Sequence, residues 1–165
     1  MIACASALLM LTGSCSNKSE NQNDSESNTQ VQDSPSVANA KKGANFLKEL
    51  QASDSTVHVT ESGLGYKVIK EGEGASPSAE STAQVVYTGK HLDGTQFDSS
   101  NGSAVPFPLQ RVVPGFSEGI QLMNKGAVYE FYIPGPLGYG PDGAPQAGIG
   151  PNEMLVFEVE LVDFE

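Results

Sequence analysis

Cysteine is nearly absent. The 165 residues hold two, Cys4 and Cys15, both within the first fifteen. The body of the chain therefore has no disulfide framework, which is compatible with an oxidising envelope without proving one. Positive charge is scarce too: nine Lys and Arg against twenty Asp and Glu leave a formal net charge of −11. That balance argues against electrostatic binding of nucleic acid or anionic lipid. Only two histidines occur, His58 and His91; they lie in separate segments, read as surface residues, and make no metal site. No Ser/His/Asp, Cys/His or metal-ligand cluster is present, so no metal and no cofactor is expected. The leading apolar run is shorter than the ~20 residues a membrane-spanning helix needs.

What the first forty residues do contain is two contrasting stretches. M-I-A-C-A-S-A-L-L-M-L-T-G-S-C, residues 1–15, is apolar and small, which suits a signal-peptide core. Its end, L-T-G-S-C, resembles the cleavage site of a bacterial lipoprotein, in which Cys15 is acylated and becomes the mature N-terminus. Thr12 stands where that signal usually carries Leu, and no Lys or Arg precedes the run. Two or more acyl chains suffice for stable anchoring where one is marginal. Residues 16–40 are Ser, Asn, Gln, Asp and Glu with almost nothing to bury, the composition of a disordered polar tether. Such a tether lets a domain range several tens of ångströms from a bilayer, by the statistics of a ~25-residue coil. Asp24, Glu26 and Asp33 are repelled by anionic headgroups.

Residues 41–56 read as a short helical lead-in. Phe46, Leu47 and Leu50 make a narrow apolar stripe, weakened by Gly43. The folded domain is expected over 57–165. Tyr66, Val68 and Lys70 alternate with Lys67 and Ile69 as a strand, and 105–109 is a short extended piece. Val113, Phe116, Ile120 and Met123 carry helical spacings of three and four, with Pro114 suited to a first turn. Ala127, Tyr129, Phe131 and Ile133 define one strand face; Leu155, Phe157, Val159 and Leu161 define another. The fold class is α+β, a curved antiparallel sheet wrapped around one short helix. Between the last two strands, residues 134–151 form a Gly/Pro-rich loop of a length that is usually functional.

The stretch V-V-Y-T-G-K-H-L-D-G-T-Q-F-D-S-S, residues 85–100, organises the rest. Ala83, Val85 and Tyr87 alternate with Gln84, Val86 and Thr88, the period of a half-buried strand. Asp93-Gly94 supplies the positive φ a tight turn requires. The return strand delivers Phe97 beside Asp98. V-x-Y-T-G followed by D-G-x-x-F-D-S-S resembles the FKBP-type peptidyl-prolyl cis-trans isomerases. Four collinear segments agree: P-F-P-L at 106–109, V-V-P-G-F-S-E-G-I at 112–120, I-P-G-P-L-G-Y-G at 133–140, and I-G-P-N-E-M-L-V-F-E-V-E-L at 149–161. The lead-in T-E-S-G-L-G-Y-K-V-I at 60–69 resembles the bacterial envelope subgroup related to macrophage infectivity potentiators.

The resemblance implies an apolar pocket. Phe116 takes the floor position, where many members carry Trp. Tyr87, Phe97, Phe107 and Phe157 are the implied walls, Val112 and Val113 the residues at the helix start, and Ile149 the rim. Tyr139 is implied as hydrogen-bond donor to a substrate carbonyl, and Asp98 as the group that polarises the site and bonds Tyr87 or a neighbour. The arginine that pairs with this aspartate in the human prototype falls at Ser103, and the loop histidine at Ala144. An X-Pro bond turns over a barrier of ~18–20 kcal/mol because its twisted form loses amide resonance. Catalysis needs no nucleophile, only a site that favours the twisted, desolvated amide. The implied partners are unfolded or partly folded proline-containing proteins and macrolides of the rapamycin type. Read without the resemblance, each Phe is core and Asp98 a turn residue. An FKBP-fold chaperone or adhesin-like binding module with little turnover is the alternative to an enzyme. The long helical region that dimerises the infectivity-potentiator relatives has no room here, so a monomer is expected, lipid-anchored in a bacterial cell envelope.

Overall fold

Residues 34–165 are described by the structure, a computed structural model. The expected signal peptide, Cys15 and most of the expected tether lie outside the described residues.

Helix α1 spans Pro35–Ser53, earlier and longer than the lead-in expected at 41–56, so residues 35–40 are helical and not tether. Two local features account for the early start. Pro35 occupies the first turn, where its missing N–H costs nothing, and the Ser34 hydroxyl accepts from Val37 N–H. Tertiary contacts hold the same turn down: Asn39 Nδ2 donates to Pro151 O, and Asn152 Nδ2 donates to Ser36 Oγ. Gly43, which looked like a weak point, is where the helix seats itself. A Cβ there would lie 2.8 Å from Met154 Cβ, so glycine permits close approach.

The strands are β1 (Val57–Val59), β2 (Gly65–Lys70), β3 (Thr82–His91), β4 (Gln96–Ser99), β5 (Val105–Pro108), β6 (Val128–Ile133) and β7 (Leu155–Phe164). They form one antiparallel sheet in the order β1-β2-β6-β7-β3-β4, with β5 also on β3. Strands β5 and β4 share the outer side of β3, β5 along its first half and β4 along its second. The β3–β4 turn follows the Asp-Gly expectation: Gly94 has φ 86° and Asp93 Oδ1 accepts from Thr95 N–H.

Period-2 alternation sorts the sheet into two apolar faces. Ala83, Val85, Tyr129, Phe131, Ile133, Leu155, Phe157, Val159 and Leu161 pack on one side against helix α2 (Pro114–Gln121), which contributes Phe116 and Ile120. Tyr132 and Val156 point the other way, where Leu47 of α1, Val57 and Met154 join them in a second cluster. The sheet is thus covered on one face by α2 and on the other, in part, by α1. No described helix is long and apolar enough to cross a membrane.

Candidate functional site

Four segments meet on the α2 side of the sheet to make an aromatic pocket. Strand β3 brings Tyr87, β5 brings Phe107, β7 brings Phe157, and α2 brings Phe116. The rings contact one another mostly edge to face: Phe116–Phe157 at 5.3 Å and 72°, Tyr87–Phe107 at 5.4 Å and 66°, Phe107–Phe116 at 5.8 Å and 74°. Rings in such an arrangement lock one another's positions, each pair adding ~0.5–1.5 kcal/mol beyond its buried area. The enclosed volume is about 280 Å³, room for one small apolar side chain and part of its backbone.

Gly89 sets where two of these rings stand. It lies opposite Phe157 in the β3–β7 register and opposite Asp98 in the β3–β4 register. A Cβ at Gly89 would come within 2.7 Å of Phe97 Cζ and 2.8 Å of Phe157 Cε1. Glycine therefore lets both rings lie flat across the strand.

The polar groups are few. Tyr87 Oη donates to Asp98 Oδ2 at 2.8 Å, and the other carboxylate oxygen accepts from Ser99 N–H at 2.9 Å. Burial, and then the hydrogen bond to the Asp98 carboxylate, push the Tyr87 phenol up to about 12. The phenol therefore remains protonated and holds the carboxylate in place. Tyr139 stands at the mouth, 42 % exposed; burial and then the nearby Asp98 charge raise its phenol. Val112 and Val113 line the pocket just before α2. No cation pairs with Asp98 among the described residues.

The structure thus brings together Tyr87, Asp98, Phe107, Val112, Val113, Phe116, Tyr139 and Phe157. It does not bring Ile149 to the surface of the pocket. That side chain is 1 % exposed in the main core, because an Ala144–Ile149 bridge turns this part of the loop inward. Phe97 stands behind the wall, 5.6 Å from Phe157 and 5.1 Å from His91. Sequence reasoning missed Arg111, which also lines the pocket. Its position directly before Val112 was the available signal. His91, expected on the surface, is half-buried and bonds Glu153 at 2.7 Å.

A larger apolar cleft of about 470 Å³ runs between α1 and the 134–137 segment. It shares no residue with the aromatic pocket and has no comparable cluster of rings and convergent polar groups. We therefore place the chemistry in the smaller pocket.

A half-wrapped antiparallel sheet, a two-turn helix across it and an aromatic cavity between them define a site for a compact apolar ring attached to a polar backbone. Comparison with known proteins agrees. Residues 73–162 match the FKBP-type peptidyl-prolyl cis-trans isomerase family. A Neisseria meningitidis serogroup B protein named as a probable FKBP-type peptidyl-prolyl cis-trans isomerase FkpA is 50% identical over 127 residues, 76% of this chain and 46% of that protein. The outer membrane protein MIP of Legionella longbeachae is 42% identical over 128 residues, 75% of this chain and 53% of that one. The crystal structure of a Pseudomonas syringae peptidyl-prolyl cis-trans isomerase superposes with a TM-score of 0.74 at 32% identity, covering 81% of this chain and 98% of that one. The chain belongs to the FKBP-type peptidyl-prolyl cis-trans isomerase family. It spans about half the length of the curated relatives it matches.

Proposed function

We propose that this chain is a peptidyl-prolyl cis-trans isomerase acting on exported proteins. The observation that carries the reading is the aromatic pocket with its Tyr87–Asp98 hydrogen bond. The prolyl ring occupies the apolar floor over Phe116, between Tyr87, Phe107 and Phe157. Removing the imide from water disfavours its planar, charge-separated resonance form more than the twisted one, so the pocket binds the transition state better than either ground state. Tyr139 donates to a substrate carbonyl, and Val113 N–H, which has no acceptor among the described residues, offers a second donor. Asp98 holds the Tyr87 ring and adds a negative potential beside it. No proton is transferred and no bond is made or broken.

The same reading extends to ligands and place. Macrolides of the rapamycin type should compete with peptide for this pocket. The L-T-G-S-C segment and the envelope name of the Legionella relative support a chain acylated at Cys15 and held at a bacterial membrane.

The test is a pair of substitutions. Asp98→Ala and Tyr139→Phe each lower isomerase kcat/KM, Tyr139→Phe by ~2–10-fold for one neutral hydrogen bond, while circular dichroism and the urea midpoint show a folded protein. Unchanged activity in both variants sinks the assigned roles.

A further inference from the structure

The chain has a single arginine, and it lies on the wall of the aromatic pocket. Arg111 ends the 3₁₀ turn Leu109–Arg111 and lines the cavity with Phe107, Val112, Tyr139 and Asp98. Its side chain is exposed and makes no ion pair among the described residues, whereas Lys67, His91 and Lys125 are each engaged by a carboxylate. The one carboxylate in the pocket, Asp98, is taken up by the Tyr87 hydroxyl and Ser99 N–H. A guanidinium with its full fork of donors thus faces the mouth of a site in a chain of net charge −11.

We propose that Arg111 is a specificity residue that makes the site prefer clients carrying Asp or Glu within two residues of the proline. The inference rests on the prolyl-isomerase reading and names its substrate class. A cavity of about 280 Å³ takes the proline and little more. Flanking residues, each advancing about 3.3–3.6 Å along an extended chain, must cross the rim within reach of Arg111. A carboxylate there gains a bidentate, charge-assisted pair that Lys could match only as a point charge. The acidic remainder of the chain acts the other way, repelling acidic clients at long range, but salt screens that field beyond ~10 Å at about 0.1 M. The contact pair is therefore the dominant influence at moderate ionic strength.

The experiment uses the full chain and two pairs of X-Pro peptides. Within each pair the peptides differ only in Glu against Gln, placed before the proline in one pair and after it in the other. The readout is the Glu/Gln ratio of kcat/KM at about 0.1 M salt. In at least one pair we expect a ratio of about three to five, the range of an exposed ion pair, expressed in KM and not in kcat. The ratio falls to one or below in Arg111→Gln, recovers in part in Arg111→Lys, and drops further below one in Arg111→Glu, where a carboxylate faces the peptide's Glu. Equal ratios in wild type and Arg111→Gln, both turning over the Gln peptides, overturn this inference and leave the isomerase reading standing. No acceleration of any peptide by folded wild type overturns that reading and this inference together.

Discussion

Replacing Gly89 by Ala is a one-carbon perturbation that tests whether the backbone of β3 sets the shape of the pocket. Gly89 has no positive φ, so alanine meets no backbone strain and the effect is purely steric. The new methyl would lie 2.7 Å from Phe97 Cζ, 2.8 Å from Phe157 Cε1 and 3.0 Å from Phe97 Cε2. Ordinary carbon contacts begin near ~3.5 Å, so one or both rings must move by roughly 0.7 Å. Phe157 is buried and wedged against Phe116, while Phe97 is only half-buried and pushes on His91. Overpacking of this size costs about 1–3 kcal/mol, and the stiffer unfolded chain offsets about 0.4–1 kcal/mol of that. The expected net loss is therefore about 1–2 kcal/mol in urea unfolding, without change in m-value. Displacement of Phe157 toward the cavity should cut kcat/KM by about tenfold or more. The diagnostic partner is Phe97→Leu, which removes the ring atoms that clash. In the Gly89→Ala background it should recover part of both losses, a coupling of about 0.5–1 kcal/mol. Gly89→Ala with wild-type stability and activity would refute the steric argument. A loss that Phe97→Leu does not touch would assign the clash to Phe157 alone.

Two further outcomes follow from the packing on the two faces of the sheet. Burial and the bond to Asp98 push the Tyr87 phenol up to about 12, from the 10.0 of an unperturbed tyrosine. A raised value stabilises the fold fully below pH 10, and that stabilisation is lost as pH climbs through 12; it is worth about 1 kcal/mol once solvent screening of the partly exposed hydroxyl is counted. Wild type should therefore lose more stability than Tyr87→Phe between about pH 10 and pH 12, and parallel profiles would contradict a phenol held up by burial and by its bond to Asp98. On the opposite face, Leu47→Ala should remove about 2 kcal/mol, the low end for a core leucine, because Leu47 is 8 % exposed against Tyr132 and Met154. Hydrogen exchange should then rise in α1 while β3 and β7 stay protected; uniform exchange would mean that α1 and the sheet unfold as one unit.

Local periodicity exposed the parts of this fold that are built locally. The alternation in β7 and in Ala83–Tyr87, the three- and four-residue spacing of α2, and the Asp93-Gly94 turn each follow from one stretch of chain. The pocket residues were legible through five collinear segments, not through their chemistry, since an isolated Phe reads as core. What escaped was set by packing between distant segments. The start of α1 depends on Ser36 and Asn39 meeting Asn152 and Pro151, more than a hundred residues away. The inward turn of Ile149 depends on its bridge to Ala144. Gly43 read as a weakening of the helix because nothing local announces Met154 as its neighbour. Arg111 was passed over because a lone surface cation has no pattern until Val112 and Phe107 are seen beside it.

The central claim is that the aromatic pocket turns X-Pro bonds. Protease-coupled relaxation of a short X-Pro peptide, with the full chain at catalytic concentration and with or without a rapamycin-type macrolide, tests it most directly. The account predicts acceleration over the uncatalysed tens of seconds, abolished stoichiometrically by the macrolide and weakened by Tyr139→Phe. A folded chain that leaves the relaxation at its uncatalysed rate would contradict the account and leave a pocket that binds proline without turning it.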